Sequence, residues 1–125
     1  MELIVWVWAV FGMMSPSFVL AEEPVRHLNV EEVTSAEVAN DIFKRDTERL
    51  RQFSQFDAAE LNDIHMITYS LETAVAFFVS NSSGDRLAHF RQMAHLVEKI
   101  HVVSENGRGA ETKRQLAKYF EMTDK

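Results

Sequence analysis

The sequence contains no cysteine and little glycine or proline. Without cysteine among its 125 residues, the chain forms no disulfide, and thiol catalysis, iron–sulfur clusters and covalently attached c-type haem are excluded. There are only four glycines and two prolines, and Gly84 is the one glycine between residues 25 and 106. Because these two residue types are the strongest helix breakers, their scarcity predicts long helices.

Basic residues are also fewer than acidic ones. Lysine and arginine number 13 against 19 aspartates and glutamates, which gives a net charge of −6 at pH 7. The two signs are interspersed, as on an ordinary solvated surface. A nucleic-acid-binding domain needs a basic surplus, so we expect no nucleic-acid partner.

The N-terminal stretch reads as an export signal. The run from Leu3 to Ala21 has no charged residue, closes on Val19-Leu20-Ala21, and is followed at once by Glu22. This pattern predicts a signal peptide over residues 1–21, cleaved after Ala21, and a periplasmic or secreted protein. The alternative is an uncleaved helix, since a span takes about 20 apolar residues. In that case the protein is an accessory subunit tethered to a membrane.

Two capping-box patterns mark helix starts. Thr34 stands three residues before Glu37, and Asp57 stands three residues before Glu60. In such a box the first side chain accepts a hydrogen bond from the backbone N–H of the third residue along. Helices are therefore expected to begin near residues 35 and 58.

Turn-forming residues divide the rest of the chain. The stretches Asn-Ser-Ser-Gly-Asp at 81–85 and Asn-Gly at 106–107 interrupt the helical pattern. We predict an all-α fold, an antiparallel up-and-down bundle of three to four helices over residues 34–125, after an extended lead-in at 22–33. Such helices form a bundle either within one chain, as a monomer, or by pairing with a second copy of the chain, as a homodimer.

The second and third predicted helices each carry one seam with alternating steps of three and four residues. On the second helix these positions are Leu61, Ile64, Thr68, Leu71, Val75 and Phe78. On the third helix they are Leu87, Phe90, Ala94, Val97, His101 and Ser104.

Polar side chains recur beside these seams. His65 and His101 are equally distant from Ser83, so an antiparallel hairpin turning there places them at one level. Three side chains of the second helix share a stripe, and two of the third helix are spaced i, i+3. The hairpin therefore predicts a polar cluster of His65, Tyr69, Glu72, Glu98 and His101.

Two interpretations of this cluster follow. In the leading one its members pair with each other as buried polar groups must, no cofactor is bound, and the protein is a non-catalytic binding or interaction protein with a periplasmic protein partner. In the alternative, His65, His101 and Glu98 hold a metal ion such as zinc or copper, or the two histidines are axial ligands of a b-type haem. Neither a glycine-rich phosphate loop nor a nucleophile–base pattern is evident, so we expect no enzyme activity.

The segments "IHMITYSLETAV" and "IHVVSENG", behind a predicted mature start "AEEPVRHL", resemble a family of small uncharacterised bacterial periplasmic helical proteins, a domain of unknown function. The resemblance implies export and a helical fold. The positions that match the family pattern are His65, Tyr69, Leu71, Glu72, His101, Ser104 and Glu105. The chain is also similar, more faintly, to four-helix bundles of the cytochrome b562 type.

Overall fold

The structure is a computed structural model that describes residues 32–125. The predicted signal peptide and the lead-in as far as residue 31 lie outside the described residues. Four helices make up the described part, and no strand occurs in it. Their bounds are Ala36–Leu50 (α1), Ala58–Ser80 (α2), Gly84–Glu105 (α3) and Gly109–Thr123 (α4). The predicted all-α class is confirmed.

Side-chain caps start the first two helices. Asp57 accepts a hydrogen bond from the backbone N–H of Glu60 at 2.9 Å, as predicted. The cap of α1 was predicted one residue too early. The capping residue is Ser35, which accepts from the N–H of Val38 at 3.2 Å, and not Thr34. Both serine and threonine satisfy a free helix N–H, so the pattern alone does not choose between neighbours.

Glu60 also organises the link between α1 and α2. Its Oε1 accepts three successive backbone N–H groups, those of Ser54 at 3.1 Å, Gln55 at 2.8 Å and Phe56 at 2.9 Å. The carboxylate holds Phe56 at a φ of 52°, the one positive φ outside glycine among residues 32–125. Gly109 lies against this point, where a Cβ atom would come within 2.7 Å of the Phe56 carbonyl oxygen.

Each helix packs against its neighbour in sequence, α1 on α2, α2 on α3, and α3 on α4. Short links between such neighbours make them antiparallel. The six seam positions predicted for α2 are all buried. The central apolar cluster lies between the helices and consists of Leu50, Leu61, Ile64, Ile67, Leu71, Val75, Met93, Val97, Ile100, Leu116 and Tyr119.

The buried face of α3 differs from its predicted seam. Its buried residues are Met93, Val97, Ile100 and Ser104. His101 is half-buried instead of central, and Ile100 replaces it at the core. These residues step by four, three and four, so one seam is still buried, but it is shifted toward Met93 and Ile100 in a helix that packs on both α2 and α4.

Two polar contacts tie α1 into the core. Ser70 donates a hydrogen bond to the carboxylate of Asp46, which is fully buried and also lies 3.1 Å from Arg45 Nε. Thr47 and Tyr119 share a buried hydrogen bond of 2.6 Å between their hydroxyls, which joins α1 to α4. Burial raises the pKa of the Tyr119 phenol, since the phenolate would lose its hydration.

None of the helices within residues 32–125 combines the length and the apolar character that crossing a bilayer requires.

Candidate metal site

Three rings from α2 and α3 meet on one side of the hairpin. The ring centroids of His65 and His101 are 4.6 Å apart, and Tyr69 lies 5.1 Å from the first and 5.0 Å from the second. Each pair is edge to face, as aromatic rings prefer. The two histidines therefore lie at one level across the hairpin, where their equal distance from Ser83 placed them.

The hydrogen bonds of His101 fix the position of its proton. Thr68 donates its only hydroxyl proton to the carbonyl oxygen of His65, so it accepts from His101 Nδ1, which lies 2.9 Å away. Nδ1 therefore carries the proton of the neutral ring, and Nε2 carries the lone pair. Glu72 Oε1 lies 2.8 Å from the same Nδ1. This carboxylate oxygen is buried without an aligned donor of its own, so it acts on the ring through its charge.

Only one of the two ring nitrogens of His65 has a hydrogen-bond partner. Its Nε2 lies 3.2 Å from the Tyr69 hydroxyl, whereas its Nδ1 is buried and has no hydrogen-bond partner. Buried ring nitrogens normally find a partner, so this ring has capacity for a further ligand.

Glu105 completes a set of three groups that can bind metal. His65, His101 and Glu105 each offer one ligand atom, and these atoms lie within 4.8 Å of one another. The separation between His101 Nε2 and Glu105 Oε2 is 3.8 Å. Bond lengths of about 2.0–2.2 Å to zinc imply ligand atoms roughly 3.4 Å apart in a tetrahedron. The Glu105 side chain is 57% exposed, so a rotation can close the difference.

Glu98, predicted as the carboxylate ligand, lies elsewhere. It is exposed and lines a separate surface depression with His95 and Gln115. Glu98 is displaced by about 60° around the helix from His101, but Glu105, four residues further on, by only about 40°. The carboxylates beside His101 are thus Glu72 and Glu105.

Two residues that contribute to the site lie outside the predicted cluster. Thr68 was assigned to the apolar seam, although its hydroxyl bonds His101. Glu105 matched the family pattern but was not assigned to the site. The i, i+4 spacing from His101 to Glu105 was the available signal, because side chains four apart are neighbours on a helix.

The three-residue set borders an open cleft of about 490 Å³. His65 and Glu105 belong to its wall, together with Phe56, Ala58, Leu61, Asn62, Ser104 and Gly107. Two of the three candidate ligands therefore face a space of the size in which proteins hold small molecules.

The fold and this cluster define an all-α helical bundle with a histidine–carboxylate site on its central hairpin. The chain belongs to DUF6746, a family of unknown function, which matches it over residues 1–125. The predicted membership of an uncharacterised family is confirmed, while the bacterial origin and the cytochrome b562 likeness stay predictions. No curated protein and no solved structure matches the chain.

Proposed function

We propose that the protein is a non-catalytic binding protein whose site on α2 and α3 holds one divalent transition-metal ion. The observation that carries the proposal is the convergence of His65, His101 and Glu105 within 4.8 Å. Two imidazoles and one carboxylate are a donor set that suits zinc and copper.

The surroundings of His101 support a ligand role. In metal sites a ligating histidine donates its second ring N–H to a carboxylate, a carbonyl or a water, which orients the ring and raises its basicity. Here the Nδ1–H has Thr68 and Glu72 beside it, and the free Nε2 lies toward Glu105. This orientation is present without any rearrangement of α3.

The same geometry favours an ion over a b-type haem. A bis-histidine haem needs its two ring nitrogens on opposite faces of a flat macrocycle. The rings of His65 and His101 instead touch edge to face at 64°, and Thr68 bridges their two helices by hydrogen bonds. A small ion fits between these side chains without separating α2 from α3.

The lining of the cleft contains no activated serine nucleophile. Besides His65 and Glu105 its side chains are apolar or neutral. Its one hydroxyl, that of Ser104, donates to the carbonyl oxygen of Ile100 at 2.7 Å and is not bonded to an imidazole. A serine nucleophile requires such a base to take its proton.

Zinc and copper binding to the purified chain tests the proposal. We expect one ion per chain, and a loss of at least a hundredfold in affinity for His101→Ala and for His65→Ala. His95→Ala is the matched control, since His95 is exposed on α3 and lines the other depression. Circular dichroism checks that each variant keeps its helices. Equal loss in the control, or no ion bound at micromolar metal, contradicts the proposal.

We also propose that the protein acts outside the cytoplasm, after removal of residues 1–21. The support is the uncharged run from Leu3 to Ala21, which is typical of export signals. Intact mass of the protein from cells tests this. A chain beginning at Glu22 is expected, whereas a full-length chain in the membrane fraction favours the tethered accessory subunit.

We also propose that the helical bundle binds a protein partner or a second copy of the chain. The exposed large apolar side chains of the described residues are Met66, Tyr69 and Val102. Tyr69 contacts both histidine rings, whereas Val102 lines the separate depression with His95 and Glu98. Light scattering with and without metal distinguishes a homodimer from a monomer that awaits another partner.

A further inference from the structure

We infer that the ion keeps one coordination position open toward the cleft, and that this position accepts a neutral nitrogen donor attached to an apolar body. The inference rests on the proposed metal site and adds to it the chemical class of the ligand. Three protein ligands leave one position of a tetrahedral ion free. Because His65 and Glu105 form part of the cleft wall and His101 does not, the cleft is the side on which we place that position.

Charge balance selects a neutral donor. The charge of a divalent ion at this site is offset by Glu105, which ligates it, and by Glu72, whose Oε1 lies 2.8 Å from Nδ1 of the His101 ring. Two carboxylates already neutralise the two positive charges. An anionic ligand would bring a third negative charge to the site, whereas an imidazole-type or amine-type nitrogen adds none.

Apolar side chains form part of the cleft wall. Phe56 and Leu61 line the cleft, and the conformation of Phe56 is enforced by the structure around it. Its φ of 52° is unfavourable for a side chain other than glycine, and the Glu60 carboxylate holds it there through a hydrogen bond of 2.9 Å. Strained residues of this kind cluster at binding sites, where the surrounding contacts position a side chain for a ligand.

Asn62 and Ser104 supply the polar part of the wall. The Ser104 hydroxyl is engaged with backbone carbonyls, so Asn62 is the side chain with free hydrogen-bonding groups beside the cleft. It is exposed and lies one helical turn before His65 on α2. A large side chain at position 62 therefore obstructs the cleft without entering the core.

Titration of the cobalt-loaded full chain with two probes tests the inference. Cobalt(II) reports a new ligand through its visible absorption, and the probes are imidazole and 4-phenylimidazole. We expect both to shift the spectrum, and 4-phenylimidazole to bind on the order of tenfold more tightly, because its ring buries apolar surface against the wall. Phenylacetate, the anionic probe of similar shape, is expected to bind more weakly than 4-phenylimidazole.

Two tryptophan variants locate the effect. Asn62→Trp should abolish the preference for 4-phenylimidazole while cobalt affinity stays within about threefold. Asp63→Trp is the control, since Asp63 is also exposed on α2 but does not line the cleft. It should keep the preference.

The outcomes separate the two proposals. Cobalt binding with no spectral response to either probe, equal affinity for the two imidazoles, or tighter binding of phenylacetate overturns the open-position inference and leaves the metal site standing. Absence of cobalt, zinc and copper binding overturns the metal site itself. A preference lost equally in both tryptophan variants overturns the assignment of the ligand to this cleft.

Discussion

Replacing Glu72 with glutamine tests how the candidate ion is held. The change keeps the size of the side chain and removes its charge, which lies 2.8 Å from His101 Nδ1. We expect Glu72→Gln to bind zinc or copper ten- to hundredfold more weakly than the unmodified chain, because His101 becomes a less basic ligand. The fold should persist, since the Glu72 side chain is 40% exposed.

The distance supports this magnitude. The path from the Glu72 oxygen through the imidazole to an ion on Nε2 is roughly 7 Å, with about 2 Å for the metal–nitrogen bond. A divalent ion and one carboxylate at that separation interact by about 1 kcal/mol at the dielectric constant of water and by about 5 kcal/mol at an effective value of 20. Partial exposure places the site between these limits, and a tenfold change in affinity corresponds to about 1.4 kcal/mol.

Isothermal titration calorimetry at fixed pH and ionic strength provides the measurement. Glu98→Gln is the matched control, because Glu98 lies on α3 three residues before His101 but is exposed on a different depression. Its charge is screened by solvent and salt, so we expect a change of no more than about threefold. Equal losses of metal affinity in the two variants would refute the reasoning. They would show that the total negative charge of the hairpin determines the affinity, and not the contact between Glu72 and His101.

Four further predictions concern the fold. Tyr119→Phe should lower the free energy of unfolding by about 1–2 kcal/mol, because Thr47 loses its buried partner. The raised pKa of Tyr119 means that the unfolded chain ionises first above its ordinary pKa of 10.0, so stability should fall there by up to about 1.4 kcal/mol per pH unit. Urea unfolding between pH 9 and about pH 11 checks this, and an identical slope in the phenylalanine variant would contradict it. Glu60→Ala should cost about 1–3 kcal/mol in the same assay, since three backbone N–H groups lose a charged acceptor; an unchanged urea midpoint would argue against this role. Gly109→Ala should destabilise the chain, because its Cβ would meet the Phe56 carbonyl oxygen at 2.7 Å. The usual stabilisation on replacing a helical glycine by alanine, about 0.5–1 kcal/mol, would show that this contact relaxes freely.

Local chemistry made the helix bounds predictable. Three signals are recognisable from a few neighbouring residues: the Asp57 cap, the turn around Ser83 and the Asn106-Gly107 stop. The helices of the structure begin and end beside them. The seam of α2 was equally readable, because one face of this helix is buried along its whole length. Such features depend on neighbours in sequence, which a single chain displays.

The rest depended on contacts between distant residues. The shift of the buried α3 seam toward Ile100 accompanies packing on two helices at once. The hydrogen bond between Thr47 and Tyr119 joins residues 72 positions apart and produces no periodic pattern in the sequence. The burial of Asp46 produces none either. The place of Glu105 beside His101 is different, because the i, i+4 spacing within α3 already displays it in the sequence.

The placement of the candidate ligands on one hairpin has a consequence for how the chain opens. His65 belongs to α2, while His101 and Glu105 belong to α3, so α1 and α4 contribute no ligand to this set. A partly unfolded form that has released α1 and α4 would retain all three ligands. An ion that binds it as well as the native state stabilises both against complete unfolding by the same amount. Metal would then protect the amides of α2 and α3 from hydrogen exchange more than those of α1 and α4. The ion would stabilise one half of the bundle and leave the opening of the other half unchanged.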